Sequence, residues 1–146
     1  MNTMKACVPN VEGVHLLKFR EMLDHRGDLI VMEEGIDVPI IVKRIFIVKG
    51  SDGTTRGKHA HYKCTQIISC LSGLVRVCCE DGSHSKEFVL EGANTGLLIP
   101  PGIWAEQIYD APNTVLHVMC DRIYEEEDYI RDYKCFKQYK KDIEKL

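Results

Sequence analysis

Between Gly13 and Cys120 the chain is a succession of short β-rich runs, each closed by a turn signal. They are Gly13–Phe19, Asp28–Glu33, Ile40–Lys49, Lys63–Leu71, Leu74–Glu80, Ser85–Leu90, Gly96–Ile99, Trp104–Tyr109 and Thr114–Cys120. Between them lie Arg26-Gly27, Ser51-Asp52-Gly53, Ser72-Gly73, Asp81-Gly82, Asn94-Thr95-Gly96, Pro100-Pro101-Gly102 and Ala111-Pro112-Asn113. Strands this short and this regularly interrupted predict an all-β sandwich or barrel. Asp81-Gly82 between two apolar runs reads as a hairpin. There is no internal repeat and no linker, so residues 1–146 read as one domain. Its strands end near residue 120, and a charged tail follows over about 125–146. Tyr129, Tyr133, Phe136 and Tyr139 recur there at helix-like spacing, which predicts a terminal helix laid on the barrel. Glu125–Asp128 reads as its solvated, dipole-complementing start.

Composition narrows the functions. At 45% apolar and 28% charged, 146 residues can bury a core without staples. A net charge of −3, with no aromatic-plus-basic stripe, argues against a nucleic-acid partner. No apolar run approaches membrane length, and Met1–Phe19 lacks the pattern of a signal peptide. The cysteines are odd in number, seven, and form no Cys-x-x-Cys pair. Several lie in β-like runs as small hydrophobes. Reduced thiols in the cytoplasm follow.

The residues that carry chemistry are concentrated at Gly53–His61. His59 and His61 are two apart, which on a strand puts both imidazoles on one face. Arg56 is close by. The pattern Gly53-x5-His59-x-His61, then four residues to Gln66 and six to Gly73, resembles the first cupin motif, which has Glu at the place of Gln66. The second cupin motif has His shortly after Pro-x-Gly, where this chain has Ala105 behind Pro100-Pro101-Gly102. Two imidazoles and a neutral amide are a poor transition-metal site. The expectation is therefore no bound metal and no cofactor, with the histidines free for acid–base work.

A finer resemblance spans nearly the whole chain. It rests on Asp24-His25-Arg26-Gly27-Asp28-Leu29, Val42-Lys43-Arg44-Ile45, Arg56-Gly57-Lys58-His59-Ala60-His61 with Gln66 and Gly73, Ile99-Pro100-Pro101 with Trp104, and Tyr124–Tyr133 with Phe136. In these the chain is similar to the WxcM-like, metal-free dTDP-sugar 3,4-ketoisomerases. The resemblance implies a cupin jelly roll and a dTDP-linked 4-keto-6-deoxyhexose as substrate, its keto group moved between C4 and C3 on the way to amino sugars of bacterial surface polysaccharides. It also implies His59 as base, His61 as its partner, Arg44 and Arg56 near sugar or diphosphate, and Arg26 beside the sugar at C4. Arginine suits a diphosphate because its fork donates two hydrogen bonds.

Lys43 and Arg44 alternate, so only one faces inward, and Arg44, in phase with Phe46, is the choice. Gln66, Arg76 and Trp104 complete the expected substrate-binding set, Trp104 by stacking on thymine. The chain departs from the resembling enzymes at Phe46, where they have tyrosine, and at Ala105, where many have His or Arg. Two alternatives follow: a nucleotide-sugar-binding cupin without turnover, and a dTDP-sugar epimerase. The resemblance further implies a homodimer that swaps its N-terminal strand, Gly13–Phe19, and so covers the barrel edge.

Overall fold

The structure is a computed structural model that describes residues 10–146. Its strands are β1 (His15–Lys18), β2 (Arg20–Asp24), β3 (Gly27–Val31), β4 (Arg44–Gly50), β5 (Thr55–His61), β6 (Gln66–Ser72), β7 (Val75–Glu80), β8 (Ser85–Leu90), β9 (Thr95–Ile99), β10 (Trp104–Tyr109), β11 (Thr114–Cys120) and β12 (Tyr129–Ile130), followed by helix α1 (Tyr133–Glu144). Two five-stranded sheets, β1-β9-β6-β11-β4 and β12-β5-β10-β7-β8, pack face to face, and β2 and β3 form a separate hairpin. This is the cupin jelly roll with a short C-terminal helix.

Period-two alternation decides which side chains fill the barrel. Along β7, Val75, Val77 and Cys79 are buried in the core between the sheets, while Arg76, Cys78 and Glu80 face out. β6 is buried almost throughout because both its faces are covered. Ile68 and Cys70 enter the main core, and Ile67 packs with Phe19, Val38 and Met119 in a second layer outside the sheet. The β7–β8 turn forms as its residues predict. Asp81 accepts hydrogen bonds from the backbone N–H groups of Ser83 and His84, and Gly82 takes a φ of +100° that suits glycine.

Three expectations are corrected here. Arg20–Asp24, which falls between the expected strands Gly13–Phe19 and Asp28–Glu33, is itself strand β2, paired with β3 from Arg20↔Val31 to Asp24↔Gly27. Its side chains are mostly exposed, so the alternation that betrays a half-buried strand is absent. The first strand does not leave its own barrel: β1 pairs with β9 of the same chain, His15↔Leu98 to Lys18↔Thr95. What projects instead is the β2–β3 hairpin. Finally, the tail is not helical from residue 125. Glu126–Asp128 makes one 3₁₀ turn, β12 then joins β5, and α1 begins only after Asp132, whose carboxylate caps it by accepting from the Cys135 N–H at 3.0 Å. Three of the four aromatics in the tail do pack as expected: Phe136 is fully buried with Ala60, Trp104 and Ile130, Tyr139 lies against that cluster, and Tyr133 meets Trp104 edge to face. Tyr129 goes elsewhere.

Candidate active site

A β-bulge builds the site. Across β5 and β10 the register runs Gln107↔Arg56, Glu106↔Gly57, then Ala105↔His59, so Lys58 is the extra residue. Gly57 and Lys58 both adopt left-handed conformations, φ +84° and +53°. On a regular strand Arg56 and His59, three apart, would point to opposite faces. The bulge turns both inward. It also demands glycine at 57, where a Cβ would stand 2.6 Å from the Gln107 Oε1 and 3.0 Å from the Ala105 carbonyl oxygen.

The bulge orients the first histidine as well. The Nδ1 of His59 lies 3.0 Å from the Gly57 carbonyl oxygen. A carbonyl only accepts, so Nδ1 carries the proton and Nε2 holds the free lone pair. The Nδ1 of His61 lies 3.0 Å from Asp128 Oδ2, and Asp128 also accepts from the N–H groups of Lys63 (2.8 Å) and Cys64 (3.2 Å). The His61 Nε2 is buried without a partner. The two rings meet edge to face with centroids 5.0 Å apart. Burial, and then the neighbouring His61, push the His59 pKa down to about 4. Burial also lowers that of His61, against the opposing pull of Asp128. Both are neutral imidazoles at physiological pH.

Tyr129 pairs with His61 across β12 and β5, so its ring falls on the same face, 4.3 Å from the His61 ring and 5.1 Å from that of His59. Its hydroxyl accepts from Arg44 Nη2 at 3.3 Å. Arg44, in phase with Phe46 as expected, also donates to Cys120 Sγ at 3.5 Å and lies over the Phe46 ring. The Gln66 Nε2 donates to the same sulfur at 3.5 Å. A cavity of about 110 Å³ opens among these groups, lined by Phe46, Arg56, His59, Gln66, Gln107 and Tyr109 with aliphatic side chains between them. A wider depression beside the hairpin, about 420 Å³, is lined by Met22, Asp24, Arg26 and Leu29 and holds no acid–base pair other than the closed Asp24–Arg26 ion pair.

The structure therefore brings His59, His61, Arg44, Arg56 and Gln66 together. It does not bring in the other three expected residues. Arg76 is on the outer face of β7, ion-paired with Asp110 and Glu87, because the strand's inward positions belong to Val75 and Val77. Trp104 is also on an outer face, buried under α1 against Phe136 rather than at the barrel mouth. Arg26 is exposed at the hairpin tip, paired with Asp24 at 2.6 Å. Asp128, Tyr129, Gln107 and Tyr109 were not among the expected site residues. Asp128 and Tyr129 lie within the Tyr124–Tyr133 string, whose charged composition disguised a buried carboxylate as a solvated one. Gln107 and Tyr109 keep phase with Ala105 along β10, a signal that alternation alone provides.

A metal would need its ligands here. His61, Cys64 and Asp128 are the described group that comes closest, with ligand atoms within 4.8 Å of one another. The carboxylate is already engaged by three N–H donors, so this set fits a structural anchor for His61 better than an ion.

Fold and cavity together define a cupin whose barrel interior holds a histidine pair, with His59 on the wall of a small cavity. The comparisons with known proteins agree. Residues 12–141 match the family described as FdtA: WxcM-like, C-terminal, and the chain belongs to this family. It is 35% identical over 125 residues to a TDP-4-oxo-6-deoxy-α-D-glucose-3,4-oxoisomerase of Aneurinibacillus thermoaerophilus, covering 85% of this chain and 90% of that one. A sugar 3,4-ketoisomerase of Thermoanaerobacterium thermosaccharolyticum, solved with TDP, superposes with a TM-score of 0.88 at 32% identity, covering 92% of this chain and 98% of the other. A 4-keto-6-deoxy sugar epimerase of Streptomyces spheroides shares the fold alone, at 15% identity and a TM-score of 0.73 over 83% of this chain and 69% of that one.

Proposed function

We propose that this protein is a cofactor-independent isomerase that moves the keto group of a dTDP-linked 4-keto-6-deoxyhexose from C4 to C3. The observation that carries the reading is the His59 ring. Its Nδ1–H is spent on the Gly57 carbonyl, and burial keeps its Nε2 unprotonated beside an interior cavity. That is a general base in the form it needs.

The chemistry balances with the groups present. The His59 Nε2 takes the C3 proton, the C3–H electron pair forms the C3=C4 bond, and the C4 carbonyl oxygen accepts a proton to give the enediol. The O3–H bond then breaks, its electrons form the C3 carbonyl, and a proton is delivered to C4. His61, held in one tautomer by Asp128, supports the neighbouring charge. The Tyr129 hydroxyl is hydrogen-bonded to Arg44, whose guanidinium also lies over Phe46, and in this reading it stands in for the hydroxyl that Phe46 lacks for passing a proton between the two oxygens. Arg44 and Arg56 bring positive charge to an anionic substrate. The cavity accommodates part of one hexose, so the nucleotide lies across the mouth.

Several features support a homodimer with composite sites. Met22, Leu23 and Leu29 on the projecting hairpin are exposed, as are Ile45 and Ile47 on the outer face of β4. Apolar surface gathered in this way marks an interface. A second copy seated there would carry Arg26 toward the neighbouring cavity. Among the described residues no helix is long and apolar enough to cross a membrane. Cys64, Cys70, Cys78, Cys79, Cys120 and Cys135 are free thiols, consistent with the reducing cytoplasm in which nucleotide sugars for surface polysaccharides are made.

The test is incubation with dTDP-4-keto-6-deoxyglucose, followed by NMR of the sugar. A new 3-keto product supports the reading. Binding of the sugar nucleotide without conversion favours the non-catalytic alternative, and inversion at C3 or C5 with the 4-keto group retained favours an epimerase.

A further inference from the structure

Two neighbouring inward positions of β10 give the cavity a polar stretch of wall where the core around it is apolar. Gln107 and Tyr109 follow Ala105 at alternate positions of β10, and all three face the interior. Tyr109 is fully buried, yet its hydroxyl has no hydrogen-bond partner. Its ring lies on Gly50, where a Cβ would come within 2.4 Å, so the side chain is held in place by a residue with no bulk of its own. Gln107 is buried with its carboxamide over Gly57 at the bulge. Arg56, opposite Gln107 in register, is absent from the described ion pairs, whose arginines are Arg20, Arg26, Arg76, Arg122 and Arg131. Buried polar groups are nearly always paired in native proteins, and an orphan on a residue that lines a cavity calls for an explanation.

Substrate chemistry supplies one. A dTDP-linked 4-keto-6-deoxyhexose has its C1 oxygen in the phosphate ester, its C5 oxygen in the ring, a methyl at C6, and C3 and C4 in reaction. One hydroxyl remains that takes no part, at C2. We propose that Tyr109 and Gln107 form a polar floor that hydrogen-bonds this C2 hydroxyl, which makes them the residues by which the enzyme selects 2-hydroxy sugars over 2-deoxy ones. The assignment rests on the isomerase reading above. The aliphatic side chains Val48, Leu116 and Val118, which line the same cavity, leave the C6 methyl an apolar wall. A site built to bond a substrate hydroxyl rejects the analogue that lacks it, because its own polar groups are then left unpaired.

The experiment compares dTDP-4-keto-6-deoxyglucose with its 2-deoxy analogue on the intact protein and on Tyr109→Phe and Gln107→Leu. Tyr109→Phe removes one oxygen and leaves the ring on Gly50. The wild type is expected to prefer the 2-hydroxy sugar in kcat/KM by roughly tenfold, the size of one or two net hydrogen bonds. Each variant should reduce that preference to about twofold or threefold, with dTDP affinity unchanged and, for Tyr109→Phe, a melting temperature no lower than wild type. An undiminished preference in both variants overturns the proposal. So does a variant that loses dTDP affinity and thermal stability together, since that marks a structural role. If the wild type binds both sugars but converts neither, the isomerase reading falls, and the ratio of the two affinities by calorimetry, compared between wild type and Tyr109→Phe, still decides for or against the floor.

Discussion

The Nδ1 of His61 stands 3.0 Å from a carboxylate oxygen of Asp128, a residue 67 positions further along the chain, and both side chains are buried. The carboxylate has a second task. It accepts the Lys63 and Cys64 N–H groups and so closes the turn that leaves β5. One side chain thus ties the tail of the protein to the histidine strand and sets the tautomer of His61.

Replacing Asp128 with Asn tests that double role. An amide has one acceptor oxygen and an NH2 donor in place of the other, so either the His61 Nδ1–H with the Cys64 N–H, or the Lys63 N–H, meets a donor. Turnover is expected to fall about 10- to 100-fold. Asp128→Ala should in addition lower stability by about 1–3 kcal/mol, the cost of buried donors left unmade. Steady-state kinetics beside thermal melts separate the two effects, and an Asn variant with wild-type kcat removes the tautomer argument.

His59→Ala should reduce turnover by roughly 10²- to 10⁴-fold, the usual worth of a general base. Its dTDP affinity should stay nearly intact, since in the proposed reading the nucleotide lies across the cavity mouth. Activity close to wild type would take the base role away from His59.

The acid limb of the pH profile follows from the same residue. Because burial and His61 lower its pKa to about 4, His59 stays unprotonated well below the ordinary 6.5. The base form is therefore lost only as pH falls through about 4. On that ground kcat/KM should be flat from pH 8 down to about 5 and drop below it. A limb with its midpoint at 6.5 or above would show that His59 is not the titrating base.

Activity should survive exhaustive dialysis against EDTA, and elemental analysis should find no stoichiometric metal. Gln66 and Ala105 stand at two cupin ligand positions, and Asp128 is committed to N–H donors. One tightly held Fe, Ni, Zn or Mn per chain, required for turnover, would reverse this reading.

Light scattering of the intact protein should give twice the 16.7 kDa of one chain. Leu23→Glu with Leu29→Glu should push it toward the monomer and lower activity, because the hairpin that carries Arg26 would lose its seat. A fully active monomer would rule out a shared site.

Much of this was legible in the sequence because it is written in local chemistry. Turn residues and period-two alternation delimit most of the strands, and the His-x-His spacing places two imidazoles on one face wherever that segment is extended. Phase with Phe46 turns Arg44 inward, and the charged composition and aromatic spacing of the tail announce a terminal helix, though not that it starts only at Tyr133. Other features depend on which elements become neighbours. Arg76 and Trp104 look as available as Arg44 until the sheets close and decide which face of each strand is inside. Arg56 joins His59 only because the Glu106↔Gly57 register leaves Lys58 unpaired, a bulge that no count along β5 reveals. Asp128 looks like one more acid in a charged run, and it becomes the anchor of His61 only when β12 lays it against β5. The physical reason is the same in each case. Propensity and alternation act over a few residues, whereas desolvation and hydrogen-bond partnership are properties of the packed barrel.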